Sequence, residues 1–283
     1  MKKQILVLIL MLSFQVKAEP ITGEPCGDDC TWQLEDGVLT VIGSGKIKDC
    51  GEYGINEPWL EYRENIEKIV IQNKSDQEKF SNIGQYAFTN MDNLTEVVLP
   101  EGIETLSYAA FHYNSMLEKI NLPSTLKNLG DWALGYTNIS SVELPDGIET
   151  IGDVAFPLDM TSIYLPPSLF KDETPGISKY ALARGRIQTI FCAKGDEKCQ
   201  NYQPVECWKF GDGGCLDEYD RPVDIKTYQK ESDGRYVLDG VRYQSFIDMQ
   251  KGQNGTGLRR IYSIDEANAV AKPTGNTVKI KYR

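Results

Sequence analysis

The chain has 283 residues, 30 of them basic and 41 acidic, for a formal net charge of −11, with a single histidine and seven cysteines. So acidic a surface argues against nucleic acid as a partner, because neutralising phosphates takes a surplus of lysine and arginine. One histidine, His112, excludes a multi-histidine metal centre within one chain.

Residues Met1 to Ala18 have a basic start (Lys2, Lys3), an apolar run from Ile5 to Leu12 and a small-residue end at Val16-Lys17-Ala18. This is the pattern of a secretory signal peptide cleaved after Ala18, and the apolar run falls well short of the ~20 residues of a membrane span. Nothing later is long and apolar enough to cross a bilayer. The expected location is therefore secreted, periplasmic or cell surface. Without this segment 27 basic residues face 41 acidic ones, a net charge of −14. The charge is uneven: Leu258 to Arg283 holds six basic and two acidic residues, so it is +4 and the remainder −18.

Trp32 to Gly45 alternates apolar and polar residues around Asp36-Gly37, the signal of a β-hairpin. With Pro58-Trp59 it is read as an N-terminal cap over residues 19–65, and Trp32 and Trp59 as core residues of it. Ile66 to Ile71 is the first regular strand and Asn73 to Phe80 an inserted polar loop.

One hexamer then occurs four times, at Ile83 to Phe88, Leu106 to Phe111, Leu129 to Leu134 and Ile151 to Phe156, with starts 23, 23 and 22 residues apart. A second phrase recurs between them, at Leu94 to Pro100, Leu117 to Pro123, Ile139 to Pro145 and Met160 to Pro166. Two phrases locked to one period of this length mark a leucine-rich-repeat solenoid. The alternation Val97 and Leu99, Ile120 and Leu122, Val142 and Leu144, Ile163 and Leu165 predicts half-buried strands. The spacing of Ile103, Leu106 and Ala110 predicts a short helical segment in the rest of the unit. Parallel strands are thus expected at Ile66–Ile71, Leu94–Leu99, Leu117–Leu122, Ile139–Leu144, Thr161–Leu165 and Ile187–Phe191, with Phe88, Phe111, Leu134 and Phe156 as an internal spine. The column Gly84, Ser107, Gly130, Gly152 accepts serine once, so it asks for small size rather than positive φ.

The hexamer Ile-Gly-x-x-Ala-Phe followed by Leu-x-x-Val-x-Leu-Pro resembles the BspA-like leucine-rich repeats, a family of surface or secreted proteins of bacteria and protists that act in adhesion. The match covers roughly Cys26 to Cys192. The resemblance implies a parallel-stranded solenoid and a binding role, without a particular ligand.

The expected fold is an α/β solenoid with a hairpin cap, the solenoid at residues 66–192, a cysteine- and glycine-rich cap and linker at 193–224, and a β-rich basic tail module at 225–283. In the tail, Arg235 to Tyr243 is a second Asp-Gly hairpin, Ser263 opens a short helix to about Ala271, and Thr277 to Tyr282 is a final basic strand. The cysteines flank the repeats and are read as disulfides: Cys26 with Cys30 or Cys50, two bonds among Cys192, Cys199, Cys207 and Cys215, and one thiol left over. Zinc is the alternative for the last four, but no pair has close spacing and no histidine is near.

No catalytic, metal or cofactor signature is present. Asp212 in its glycine-rich loop lacks a spaced run of oxygen ligands for calcium, and His112 is read as an exposed turn residue. The expected function is non-catalytic binding of a protein or glycan on a host or neighbouring cell; an enzyme in the tail after Asp217 and a purely structural envelope protein are the alternatives. Side chains alternate across a strand, so the repeats write two outward columns. One is Lys68, Glu96, Lys119, Ser141, Ser162 and Thr189, and the other Val70, Val98, Asn121, Glu143, Tyr164 and Phe191. Tyr164 and Phe191 are the expected binding anchors, because aromatics dominate interface hot spots, with a tail folded over them as the competing reading. The basic tail is expected either to contact an anionic envelope polymer or to neutralise the solenoid's own acidic surface.

Overall fold

A computed structural model describes residues 19–206, 210–211, 214–215, 219–220, 223–239, 241–243 and 262–263. The cap hairpin is β1 (Asp29–Glu35) and β2 (Val38–Ile47), antiparallel around Asp36 and Gly37 with φ of 48° and 78°. Both turn residues are left-handed, as a type I′ turn matching strand twist requires. Trp32 and Trp59 are buried, as expected, with ring centroids 6.1 Å apart.

β2 opens two parallel ladders. Its first half pairs with β3 (Lys68–Asn73), which continues to β5 (Glu96–Val98) and β7 (Lys119–Ile120). Past a register shift at Gly45, its second half pairs with β4 (Phe80–Ile83), then β6 (Thr105–Leu106), β8 (Asn128–Leu129) and β9 (Thr150–Ile151). The second ladder and the turn after it replace the expected helical segment. A helix would use its N–H groups within the segment, whereas here they reach the next coil: Tyr86 N donates to Tyr108 O (3.1 Å), Phe88 N to Ala110 O (2.9 Å) and Asn90 N to His112 O (3.1 Å). The pattern repeats one coil on, from Ala109, Phe111 and Tyr113.

Those turns hold their residues left-handed: Tyr86, Ala109, Trp132 and Val154 in one column, Asn90, Tyr113 and Tyr136 four residues after the first three, and Arg184 in a later coil, all with φ of 49° to 64°. The small column is not left-handed; a Cβ on Gly84 would lie 2.2 Å from Lys48 O, so close approach excludes larger residues there, as the serine suggested. Inside, Trp59 stacks on Phe88 (4.7 Å, 3°) and Phe88 on Phe111 (5.4 Å, 10°); Leu134 and Phe156 continue the spine, all buried. The Trp59 indole donates to Ala87 O (3.1 Å), fixing cap to solenoid. Glu57 is buried beside it, accepting from Arg63 (2.9 Å) and from Thr89 N (3.1 Å).

The first ladder departs from expectation at Ile139–Leu144, which forms no strand. Its inward alternation survives, since Ile139, Val142 and Leu144 are buried. Side chains replace the strand pairing on either side: Asn121 accepts from Leu99 N and donates to Leu99 O, both at 2.8 Å, and Glu143 and Asp146 are held from the C-terminal side. The ladder resumes with β10 (Ser162–Leu165) and β11 (Thr189–Ala193).

Beyond β11 a short helix, α1 (Glu197–Gln200), is capped by Asp196, whose side chain accepts from Cys199 N. Two small antiparallel pairs follow: β12 (Val205–Glu206) with β15 (Tyr219–Asp220), and β13 (Phe210–Gly211) with β14 (Gly214–Cys215). β16 (Asp224–Lys230) then lies parallel beside β11, so the tail adds a strand to the solenoid sheet. β17 (Tyr236–Leu238) and β18 (Val241–Tyr243) form the expected second hairpin, and β19 (Tyr262–Ser263) pairs with β18. The helix to Ala271 and the strand from Thr277 lie outside the described residues.

Cys26 pairs with Cys30, and Cys192 with Cys199. Cys50 is a buried free thiol, pushed up to about 12 by burial and then by Glu57. Pairing of Cys207 and Cys215 lies outside what is described.

Candidate functional site: the sheet face

Strand register aligns parts of the two outward columns. Lys68, Glu96 and Lys119 are direct neighbours, as are Val70 and Val98, and further on Tyr164 and Phe191. Lys68 and Glu96 meet at 2.8 Å, the cross-strand pairing that alternating charge provides.

The columns then divide. From Glu96 to Glu143 the face is open: Glu96 and Val98 are half-buried, while Lys119, Asn121 and Glu143 are exposed. A groove of about 820 Å³ runs along it, lined by Glu96, Val98, Lys119, Asn121 and Ser141. A second, of about 650 Å³, continues past Asn121 to Glu143, Asp146, Lys230 and Tyr236.

At Tyr164 and Phe191 the face is closed, and the expected anchors are corrected. Tyr164 is 1 % exposed and Phe191 fully buried, in a cluster with Tyr228, Tyr236, Leu238 and Tyr243. The tail covers them: Tyr164 lies 5.1 Å from the Tyr228 ring and 6.1 Å from Tyr236, and its hydroxyl donates to Asp146 (3.0 Å). Burial raises the Tyr164 phenol well above its usual range, and the nearby Tyr228 and Asp146 add to it. Ser162 is buried as well.

The covering strands β16 and β17 bring to the groove two residues that the repeat pattern did not supply. The Tyr236 hydroxyl donates to Glu143 (3.2 Å), and Lys230 reaches Asp146 (2.5 Å). Burial, then Glu143, pushes Tyr236 up to about 12; burial opposes the charge on Lys230, but Asp146 outweighs it and raises that group. The alternation of Tyr236 and Leu238 across the Asp-Gly hairpin was the available signal, because a hairpin with one apolar face must lay it on something.

His112 is also corrected. It is buried, its ring 4.1 Å from Tyr113 and 5.4 Å from both Trp132 and Tyr136, and burial lowers it to about 4. Gly135 makes the room, since a Cβ there would lie 3.1 Å from the His112 ring. Among the described residues no cluster of His, Cys, Asp and Glu is arranged to hold a metal, and no helix is long and apolar enough to cross a membrane.

Comparison with solved structures places this chain beside a leucine-rich repeat protein from Eubacterium ventriosum ATCC 27560, at 18 % identity and a TM-score of 0.53 over 79 % of this chain and 49 % of that one. The present chain thus corresponds to about half the length of that protein. A leucine rich cell surface protein from Faecalibacterium prausnitzii A2-165 is similar at 17 % identity, over 78 % of this chain and 61 % of that one, with a TM-score of 0.39. A comparison with curated proteins gives no match. The model of the BspA type leucine rich repeat region matches residues 55–203 in six copies, more than half of the chain. The chain belongs to the BspA-type leucine-rich repeat family.

Proposed function

We propose that this chain is an exported, non-catalytic recognition protein that binds a protein or glycan on a host or neighbouring cell through the open part of its sheet face. The observation that carries the reading is the continuous groove from Glu96 to Glu143, whose walls mix an aliphatic side chain (Val98), a cation (Lys119) and carboxylates. Such a surface offers contact area and hydrogen bonding without an arranged nucleophile and base. Burial of the sole histidine under three aromatic rings supports the non-catalytic reading. Export rests on the Met1 to Ala18 pattern.

The test is a binding screen of the chain without residues 1–18 against host glycoproteins, matrix proteins and bacterial glycans. The double variant Val98→Ala with Lys119→Ala is then expected to weaken a hit by about 2 kcal/mol or more with a nearly unchanged melting temperature. Asn121 is left alone because it holds the Leu99 backbone. A hit that is indifferent to the double variant would move the site off the sheet face. The basic tail, Leu258 to Arg283, is assigned to an anionic envelope polymer; deleting it should reduce envelope association at low salt, and no change refutes that role.

A further inference from the structure

The left-handed turns present an aromatic row away from the sheet face. Tyr53 of the cap lies 6.1 Å from Tyr86, and Tyr86 lies 5.3 Å from Tyr108 in the next coil. Tyr113 stacks on Tyr136 (4.7 Å, 21°), and Tyr136 lies nearly parallel to Trp132 (6.0 Å, 7°). Asn90 joins the two groups into one patch, its side chain donating to Tyr53 O (3.3 Å) and its backbone N–H to His112 O (3.1 Å), the residue before Tyr113. Three of its rings are open to solvent: Tyr53 at 52 %, Tyr108 at 38 % and Tyr113 at 39 %.

Four of the six (Tyr53, Tyr86, Tyr113 and Tyr136) are tyrosines with φ of 53° to 58°, and Trp132 has φ of 58°. That conformation disfavours any residue with a Cβ other than asparagine or aspartate. The position itself does not need an aromatic, since the equivalent of Tyr113 one coil earlier is Asn90, with φ of 55°. His112 accounts for the inner faces of Tyr113, Trp132 and Tyr136, but the exposed faces of Tyr53, Tyr108 and Tyr113 call for a reason outside the fold.

The surroundings indicate the chemistry. The far end of the row already holds a cation of the chain itself: the Arg184 guanidinium lies 4.9 Å from the Trp132 ring and donates to the Tyr136 hydroxyl (3.3 Å). An exposed carboxylate, Glu52, directly precedes Tyr53 and acts on the Tyr86 phenol. A planar cation between aromatic faces and a carboxylate gains both cation–π attraction and a bidentate hydrogen-bonding partner, which suits arginine better than lysine.

We propose that the exposed end of this row, Tyr53, Tyr108 and Tyr113, is a second recognition surface, and that its ligand is a protein segment presenting arginine side chains. It is independent of the sheet face and stands or falls separately.

The experiment measures binding of fluorescent octa-arginine, octa-lysine and maltoheptaose to the chain without residues 1–18, in about 0.15 M salt. Octa-arginine should bind more tightly than octa-lysine, because net charge alone treats them alike. The double variant Tyr108→Ser with Tyr113→Asn should weaken octa-arginine about tenfold or more and erase the preference, with a melting temperature within a few degrees of the parent, since asparagine suits φ at position 113. If that variant unfolds, Tyr53→Asn alone carries the same test. Equal affinity for the two peptides overturns the proposal, as does octa-arginine binding that survives the substitutions. Row-dependent binding of maltoheptaose in place of octa-arginine overturns it too, by making the surface a glycan site.

Discussion

Phe191→Ala probes the contact that closes one end of the sheet face. The ring is fully buried, opposite Tyr164 on one side and Lys226 on the other, beneath Tyr228, Tyr236, Leu238 and Tyr243. Truncating a fully buried phenylalanine costs about 3 to 5 kcal/mol through lost transfer energy and the cavity left behind. Adding Tyr164→Ala also removes the hydroxyl's bond to Asp146, yet the two costs should sum to less than their separate values, because neighbours share one cavity. The loss should be local first. Native-state hydrogen exchange is expected to accelerate at the amides of β16 to β18 well before those of β3 and β5. Urea unfolding supplies the total. A cost below about 1 kcal/mol, or exchange that accelerates uniformly, would show that the tail does not seal these rings, and would return them to the open face.

Burial pushes the Glu57 carboxyl up to about 8 from its usual 4.5, against the pull of Arg63 and the Thr89 N–H. Its raised folded pKa means that its contribution is complete below 4.5 and is lost as pH rises through 8; a stability titration should show that decline, and Glu57→Gln should flatten it. His112 has the opposite sign: lowered from 6.5 to about 4 by burial, it contributes fully above 6.5 and loses that contribution as pH falls toward 4, so His112→Phe should reduce the acid-side slope over that window. Cys50 should resist iodoacetamide in the folded chain and react once urea is added, while non-reducing peptide mapping returns Cys26–Cys30 and Cys192–Cys199; fast native labelling would contradict the burial.

Much of the fold was legible because it is written in side-chain periodicity. The Asp36-Gly37 hairpin, the Phe88 and Phe111 spine and the neighbouring outward columns all follow from two-residue alternation and a fixed repeat. The second ladder was not, since strands as short as Thr105–Leu106 are defined only by their partners in adjacent coils. The left-handed columns were hidden for a related reason: Tyr113 and Trp132 carry none of the glycine or asparagine signals by which such turns are found. His112 was misplaced although its column gives a clue, for the residue after each spine position (Thr89, Gly135, Pro157) is buried too. Of the candidate site, Val98, Lys119, Asn121 and Glu143 stand at the open groove, while Tyr164 and Phe191 were misread because their cover comes from Tyr228 and Tyr236, more than thirty residues further along the chain.

The two ladders share β2 as their first strand, and this bears on how the chain assembles. Each later strand finds its partner roughly one repeat back, so every new coil closes a loop of similar, modest length. Such short-range closure favours rapid acquisition of structure. Growth also has a direction: once the β1–β2 hairpin has formed, it offers two edges, and each coil that docks regenerates both for the next one. A lesion in β2, at the Gly45 bend for instance, would remove the template of both ladders at once, and should slow folding far more than an equally destabilising lesion in β9, where the second ladder is nearly finished.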